Sequence, residues 1–238
     1  VKGSPRALLF DLDGTLVDSR RDIAEAANAS RIHYGLSPLR VESIYPMIGD
    51  GARALVARAF DFSKDDHGHG APPPDTPETR LRTLRASRSA SVDLDGALAT
   101  FSKAYAEKPC VHTTLMPGAR EALATGLPNA LVTNKPRALT MLVLESLGIA
   151  SSFAAVWGGD EGPLKPDPSG ILAVCAKLGV APRDAWVIGD GPQDIGAGKA
   201  AGCFTVAVPG IAERELVLRA APDLVVDSLY DVARRAST

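Results

Sequence analysis

An apolar run of four residues, Ala7-Leu8-Leu9-Phe10, stops abruptly at two aspartates in Asp11-Leu12-Asp13-Gly14-Thr15. Continuous apolar residues without alternation suit a strand covered on both faces, the situation inside a parallel sheet. Carboxylates at the end of such a strand need water, a partner or a ligand. This junction restricts the chain to folds in which helices cover both sides of a sheet and polar groups gather at one edge.

The rest of the chain obeys that restriction. After Pro117, helical and extended patterns alternate. Strands are predicted at 130–132, 154–157, 185–188, 204–208 and 224–226, with helices at 118–125, 137–147, 169–178, 194–201, 213–220 and after Ser228. Such alternation predicts a parallel sheet wrapped by helices. From Ser19 to Met116 the pattern is helical only, with helices expected at 18–34 (closed by Gly35), 51–60, 78–88 and 94–106. Residues 63–76, rich in glycine and proline, are expected to form an exposed loop. The expected fold is α/β, a Rossmann-like parallel sheet core of residues 1–18 and 114–238. An all-helical cap domain, residues 19–113, is inserted after the first strand and joined by two connections that act as a hinge.

A length of 238 residues accommodates a core and a smaller second domain, and the 45% apolar and 23% charged content is that of an ordinary globular protein. The formal net charge of -2 gives no electrostatic basis for a nucleic-acid or membrane partner. No apolar run approaches the roughly 20 residues of a membrane helix, and the leading Val-Lys-Gly-Ser-Pro lacks the apolar stretch of a secretory signal. Cys110, Cys175 and Cys203 have no zinc-site spacing and read as reduced, buried thiols, which points to the cytoplasm.

In open parallel sheets the active site lies beyond the carboxyl ends of the strands. The first strand leads to Asp11 and Asp13, the second to Thr133 and Asn134, the third through Gly158-Gly159-Asp160 to Lys165, and the fourth to Asp190 and Asp194. Carboxylates brought together resist ionisation unless a cation sits among them. A hard divalent ion with oxygen ligands, most simply Mg²⁺, meets that need. A metal, a lysine, a hydroxyl and backbone amides suit a phosphoryl group. Asp11 is then placed to attack phosphorus, forming an aspartyl phosphate. Asp13, two residues on along an extended segment, faces the same side. It is placed to protonate the leaving alcohol and later to deprotonate the attacking water.

The segments Asp11-Leu-Asp-Gly-Thr15, Thr133-Asn134, Lys165-Pro-Asp-Pro168 and Gly189-Asp190-Gly-Pro-Gln-Asp194 resemble the four motifs of the haloacid-dehalogenase-like hydrolase superfamily, in its order. The resemblance implies Asp11 as nucleophile and Asp13 as general acid and base. It implies Thr133 and Asn134 at the phosphate, and Lys165 neutralising phosphate and nucleophile. It also implies Mg²⁺ held by Asp190, the Asp11 carboxylate and the Asp13 backbone carbonyl, with Asp194 beside them. The dehalogenase and phosphonate-cleaving branches lack the second aspartate, so Asp13 favours a phosphatase or phosphomutase.

Further segments are similar to phosphoglycolate phosphatases: Leu16-Val-Asp-Ser19, Asp22-Ile-Ala, Ala27-Asn28, Tyr34-Gly35-Leu36, Ile48-Gly-Asp-Gly51, 101–105, Met116-Pro-Gly118 and Thr133-Asn-Lys135. Arg20-Arg21, where that family usually has proline before the aspartate, and residues 61–90 depart from the pattern.

Simpler roles exist for several of these residues. Asp11, Asp13, Asp190 and Asp194 are also turn or helix-capping residue types, Thr133 a turn residue, and Lys165 a solvated loop lysine. Their joint placement at strand ends favours the chemical roles. Asp50 precedes a helix and is expected to cap it rather than bind metal. His67 and His69 are expected to be exposed loop residues, and Arg80, Arg82, Arg85 and Arg88 a solvated helix face. Arg53 is a candidate partner for a substrate carboxylate.

The chain is thus expected to be a Mg²⁺-dependent phosphatase of a small phosphorylated metabolite, with 2-phosphoglycolate as leading substrate, acting as a monomer or homodimer. A sugar-phosphate phosphatase or β-phosphoglucomutase-like enzyme is the alternative within the same core. A phospho-aspartate signalling protein is the remote one, disfavoured by the second aspartate, the length and the helical insertion.

Overall fold

Strand β1 (Ala7–Phe10) occupies an inner position of a sheet whose strand neighbours, given below, all run parallel. The structure is a computed structural model that describes residues 4–61, 92–208 and 214–237. After β1 come β2 (Val17–Asp18), α1 (Arg20–His33), α2 (Val41–Ile44), α3 (Ala52–Ala59), α4 (Leu94–Glu107) and β3 (Thr114–Leu115). Next are α5 (Ala119–Leu123), β4 (Asn129–Val132), α6 (Arg137–Ser146), β5 (Ala155–Trp157) and α7 (Ser169–Leu178). The chain continues with β6 (Ala185–Gly189), α8 (Pro192–Ala201), β7 (Phe204–Ala207), α9 (Arg214–Arg219), β8 (Leu224–Val225) and α10 (Leu229–Ala236). The sheet order is β5-β4-β1-β6-β7-β8.

Every residue of β1 is buried because both faces are covered. Leu8 and Phe10 pack in one cluster with residues of α5, α6 and α10, such as Ala122, Val143 and Val232. Ala7 and Leu9 face the other way, onto Ile171 and Val174 of α7 and Ala197 of α8. The period-two alternation of side chains therefore serves two apolar layers. Cys175 and Cys203 are buried, whereas Cys110 is only half-buried. No helix among the described residues is long and apolar enough to cross a membrane.

The α/β class with a parallel sheet is as predicted, and element bounds shift by a few residues. Helix α8 begins at Pro192, not at 194, because proline at the first helical position lacks only an amide that would have no intrahelical partner there. The short helix α2 and one strand pairing were missed. Strands β2 and β3 pair antiparallel, with Val17 opposite Leu115 and Asp18 opposite Thr114. Two-residue strands carry no periodicity to read. Between them the described residues form helices α1 to α4, with one 3₁₀ turn at Tyr45–Met47. The predicted helix at 78–88 and loop at 63–76, with His67, His69, Arg80, Arg82, Arg85 and Arg88, lie outside the described residues.

Asp22 ties the start of α1 to the returning chain. Its buried carboxylate accepts from the amides of His112 (3.0 Å) and Thr113 (2.8 Å) and from the Thr113 hydroxyl (2.6 Å). Removing it leaves the buried Thr113 amide and hydroxyl, and the His112 amide, without this acceptor. Asp22→Ala should therefore destabilise the fold by about 3 kcal/mol, measured by urea unfolding.

Candidate active site

The carboxyl ends of β1, β4 and β6 meet at one buried ammonium. Lys165 Nζ donates to Asp11 Oδ1 at 2.6 Å, to Asp194 Oδ1 at 2.6 Å and to the carbonyl of Val132 at 2.7 Å. Asp11 follows β1, Val132 ends β4, and Asp194 lies in the first turn of α8 after β6. All three donors of the lysine are thereby engaged.

Asp190 stands beside this cluster and accepts from the Thr15 hydroxyl at 3.1 Å. Its approach explains Gly14. A Cβ there would lie 2.2 Å from Asp190 Oδ2, and the backbone has φ of 97°, which side chains rarely tolerate. Glycine is thus required twice over, by conformation and by space.

The carboxylates are short of positive charge. Burial, followed by the nearby Asp11 and Asp194, pushes the Asp190 carboxyl up to about 8, against the opposing pull of Thr15 and Lys165. Burial also pushes Asp11 up to about 7, although Lys165 opposes it. Burial depresses the Lys165 ammonium, but Asp11 and Asp194 outweigh it and raise its pKa. Oxygens of Asp11, Asp190 and Asp194 lie within 4.8 Å of one another. An all-oxygen, under-compensated donor set of this kind fits a hard divalent cation. A second acidic group, Asp22, Glu25 and His112, is formed among the described residues. There the Asp22 oxygens are engaged by the amides and hydroxyl described above.

Asp13 faces the same space. Its Oδ1 accepts from the Ser19 hydroxyl and, at 2.6 Å, from Lys135 Nζ, while Oδ2 accepts no hydrogen bond among the described residues. Thr133 is buried, and its Oγ1 accepts from the Lys135 amide at 3.2 Å, leaving its proton to donate.

Two predicted ligands have other partners. The Asn134 side-chain amide donates to the carbonyls of Gly49 (3.0 Å) and Lys165 (3.2 Å), and its oxygen accepts from the Lys165 amide at 2.8 Å. It holds the lysine loop in place and is committed to backbone groups, not to a phosphate. Arg53 is exposed and paired with Asp95, and the structure does not bring it to the strand ends. Asp194, expected to stand beside the metal, has both oxygens engaged, by Lys165 and by the Gly191 amide at 3.0 Å. It therefore also closes the start of α8.

Asp50 does not cap α3. Gly51 occupies that position, while Asp50 pairs with Arg58 and accepts from Gln193 Nε2 at 2.7 Å. Gln193 lies in α8, so this bond and the one from Asn134 to Gly49 fasten residues 49–50 over the strand ends. Sequence reasoning left Thr15, Ser19, Lys135 and Gln193 without roles. All four sat inside quoted motifs, but nothing in the motifs singled them out from their neighbours.

Two cavities reach Asp11 and Asp13. The larger, 390 Å³, is bordered by Lys165, Asp190, Asp194, Arg20 and Tyr45. The smaller, 60 Å³, lies under the helical segment, with Thr133 and Lys135 on the sheet side and apolar walls that include Ile23, Leu55, Phe101 and Leu139.

A family profile described as haloacid dehalogenase-like hydrolase matches residues 8–208. The chain is 37% identical over 243 residues to a phosphoglycolate phosphatase of Chromobacterium violaceum, covering 96% of each chain. It is 34% identical to phosphoglycolate phosphatase 1 of Pseudomonas aeruginosa, covering 96% of this chain and 78% of that one. Among solved structures, one from Haemophilus somnus, described as a "predicted phosphoglycolate phosphatase", superposes with a TM-score of 0.78 at 27% identity, covering 96% of each chain.

The raised carboxyls have a direct consequence for stability. Asp11 and Asp190 titrate higher in the folded chain than their ordinary value of 3.8. The native state therefore binds more protons from about pH 4 upward, and metal-free stability falls as pH rises through 7 to 8. Cation binding relieves that loss. Thermal melts with and without MgCl₂ should show a larger Mg²⁺-induced rise in Tm at pH 8 than at pH 5.5.

Proposed function

The chain belongs to the haloacid dehalogenase-like hydrolase family and is a phosphoric monoester hydrolase, and from that premise we propose that it cleaves 2-phosphoglycolate through an aspartyl-phosphate intermediate. The observation that carries this mechanism is the Lys165 bridge between Asp11 and Asp194, which orients one carboxylate of a crowded group as a nucleophile. Relatives named phosphoglycolate phosphatase, 34–37% identical over nearly the whole chain, support the substrate.

Lys165 holds Asp11 Oδ1 and leaves Oδ2 to attack phosphorus in line with the ester oxygen. As the P–O ester bond breaks, Asp13 Oδ2, which accepts no hydrogen bond among the described residues, delivers a proton to the departing alcohol. Water then adds to phosphorus of the aspartyl phosphate. Asp13 accepts its proton, the bond from Asp11 to phosphorus breaks, and inorganic phosphate is released. The Thr133 hydroxyl and Lys165 support the phosphoryl oxygens.

Asp11, Asp190 and the Asp13 backbone carbonyl would hold Mg²⁺, with Asp194 beside them. The ion supplies positive charge that lets the carboxylates ionise together and offsets charge on the phosphoryl group. Residues 19–113 act as a cap domain joined through β2 and β3. The Asp50–Gln193 and Asn134–Gly49 contacts fasten it in the closed position, which excludes water from the first step. The substrate is a small phosphorylated metabolite, and three free thiols accord with a cytoplasmic setting.

Asp11→Asn keeps the size and most of the hydrogen bonding but removes the nucleophile. It should lower Mg²⁺-dependent phosphate release from 2-phosphoglycolate by at least about 10³-fold while the circular dichroism spectrum is retained. Near-normal turnover by this variant would refute the mechanism. A parallel phosphate-release screen over phosphoglycolate, sugar phosphates and nucleotides should rank phosphoglycolate first. A sugar phosphate in that place would reassign the substrate.

A further inference from the structure

The proposed reaction leaves one buried charge without a task. Lys135 and Lys165 are the buried basic residues among those described, and Lys165 already has three acceptors. Lys135 Nζ donates to Asp13 Oδ1 at 2.6 Å and lies 4.8 Å from the centroid of the Tyr105 ring. An ammonium carries three N–H donors, so Asp13 does not exhaust it. The Tyr105 hydroxyl is itself buried and has no partner at hydrogen-bonding geometry among the described residues.

The position of Lys135 matters more than its pairing. Among the described residues it is the only cation bordering the 60 Å³ chamber, where apolar side chains from the helical segment close over Asp11, Asp13 and Thr133. With phosphorus beside Asp11, the alcohol that Asp13 protonates has this chamber before it. The volume admits only a handful of non-hydrogen atoms. A neutral substituent enters such a space at little cost. A carboxylate loses its hydration there and needs a cation already in place. Lys135 was desolvated when the chain folded, and its ammonium is held by Asp13 and the Tyr105 ring. Arg20, which borders the larger cavity, has its guanidinium engaged by both oxygens of Asp18.

Resting on the phosphatase activity proposed above, we propose that Lys135 recognises a carboxylate on the leaving alcohol, one carbon from the ester oxygen. This contact makes the site selective for small phosphorylated carboxylates over neutral or cationic esters of the same size. The carboxylate accepts from Nζ donors that Asp13 leaves open, and the apolar walls reject longer substituents.

The test compares kcat/KM for phosphate release, with Mg²⁺ present, from 2-phosphoglycolate, 2-hydroxyethyl phosphate and 2-aminoethyl phosphate. The wild-type chain should prefer the carboxylate, then the neutral ester, then the cation. Lys135→Met should reduce the ratio of phosphoglycolate to hydroxyethyl phosphate efficiency by on the order of 100-fold, mainly through the KM for phosphoglycolate. Lys135→Arg, which keeps the charge, should retain part of that ratio. Equal losses on both esters in Lys135→Met would mean that the residue acts only through Asp13, and would overturn the inference. Equal wild-type efficiency on all three esters would overturn it as well, and that comparison decides even if the Met variant does not fold. Either result leaves the phosphatase activity standing, whereas no release from any phosphomonoester would remove that activity and the inference with it.

Discussion

A single buried ammonium joins three strand ends that are far apart in sequence. Lys165 reaches Asp11 after β1, Val132 at the end of β4 and Asp194 at the start of α8. A buried charge with all its donors paired is stable where an unpaired one would not be. Its partners are then fixed by the same requirement, since each carboxylate would be costly to leave without a counter-charge. The sheet order places β1 between β4 and β6, so the three chain segments converge without distortion. The order of the strands and the chemistry at their ends therefore depend on each other.

The supporting contacts form a second ring around this point. Asn134 fixes the loop that carries Lys165, Gly14 admits Asp190, Thr15 orients it, and Ser19 and Lys135 take one oxygen of Asp13. Crowding and burial make it harder for these carboxylates to ionise together and push Asp11 and Asp190 up. The protein thus holds a site whose charge balance calls for a cation, and the same deficit would help draw one in. The helical segment between β2 and β3 adds apolar walls and two latching hydrogen bonds, from Gln193 to Asp50 and from Asn134 to Gly49.

Much of this was legible in the chain. The apolar runs gave the central strands, because burial on both faces leaves no freedom to alternate polar residues. That Asp11, Asp13, Thr133, Lys165, Asp190 and Asp194 gather at one edge was legible because they lie beyond strand ends, where an open parallel sheet brings polar groups together. The partners of Asn134 and Arg53 were not legible. An amide after a strand and an arginine near a cleft are suited to bind anions, but hydrogen-bonding capacity says nothing of which partner is nearest. For Asn134 these were backbone groups of Gly49 and Lys165, and for Arg53 it was Asp95. The cap predicted from Asp50 failed for the same reason, since Arg58 and Gln193 took its oxygens.

The sequence by itself determined the class of fold, the strand ends that carry chemistry and the residue types placed there. These follow from local rules, namely hydrophobic period, abrupt ends of apolar runs and short motifs in order. Only the tertiary structure decided how the charges pair. It put Lys165 between Asp11 and Asp194, gave Lys135 to Asp13, and made Gly14 a matter of space as well as backbone conformation. Pairing is a short-range interaction between residues that can be more than a hundred positions apart, as Lys165 and Asp11 are. Its outcome depends on distances and burial that no local pattern encodes, and burial is what turns those pairings into large effects.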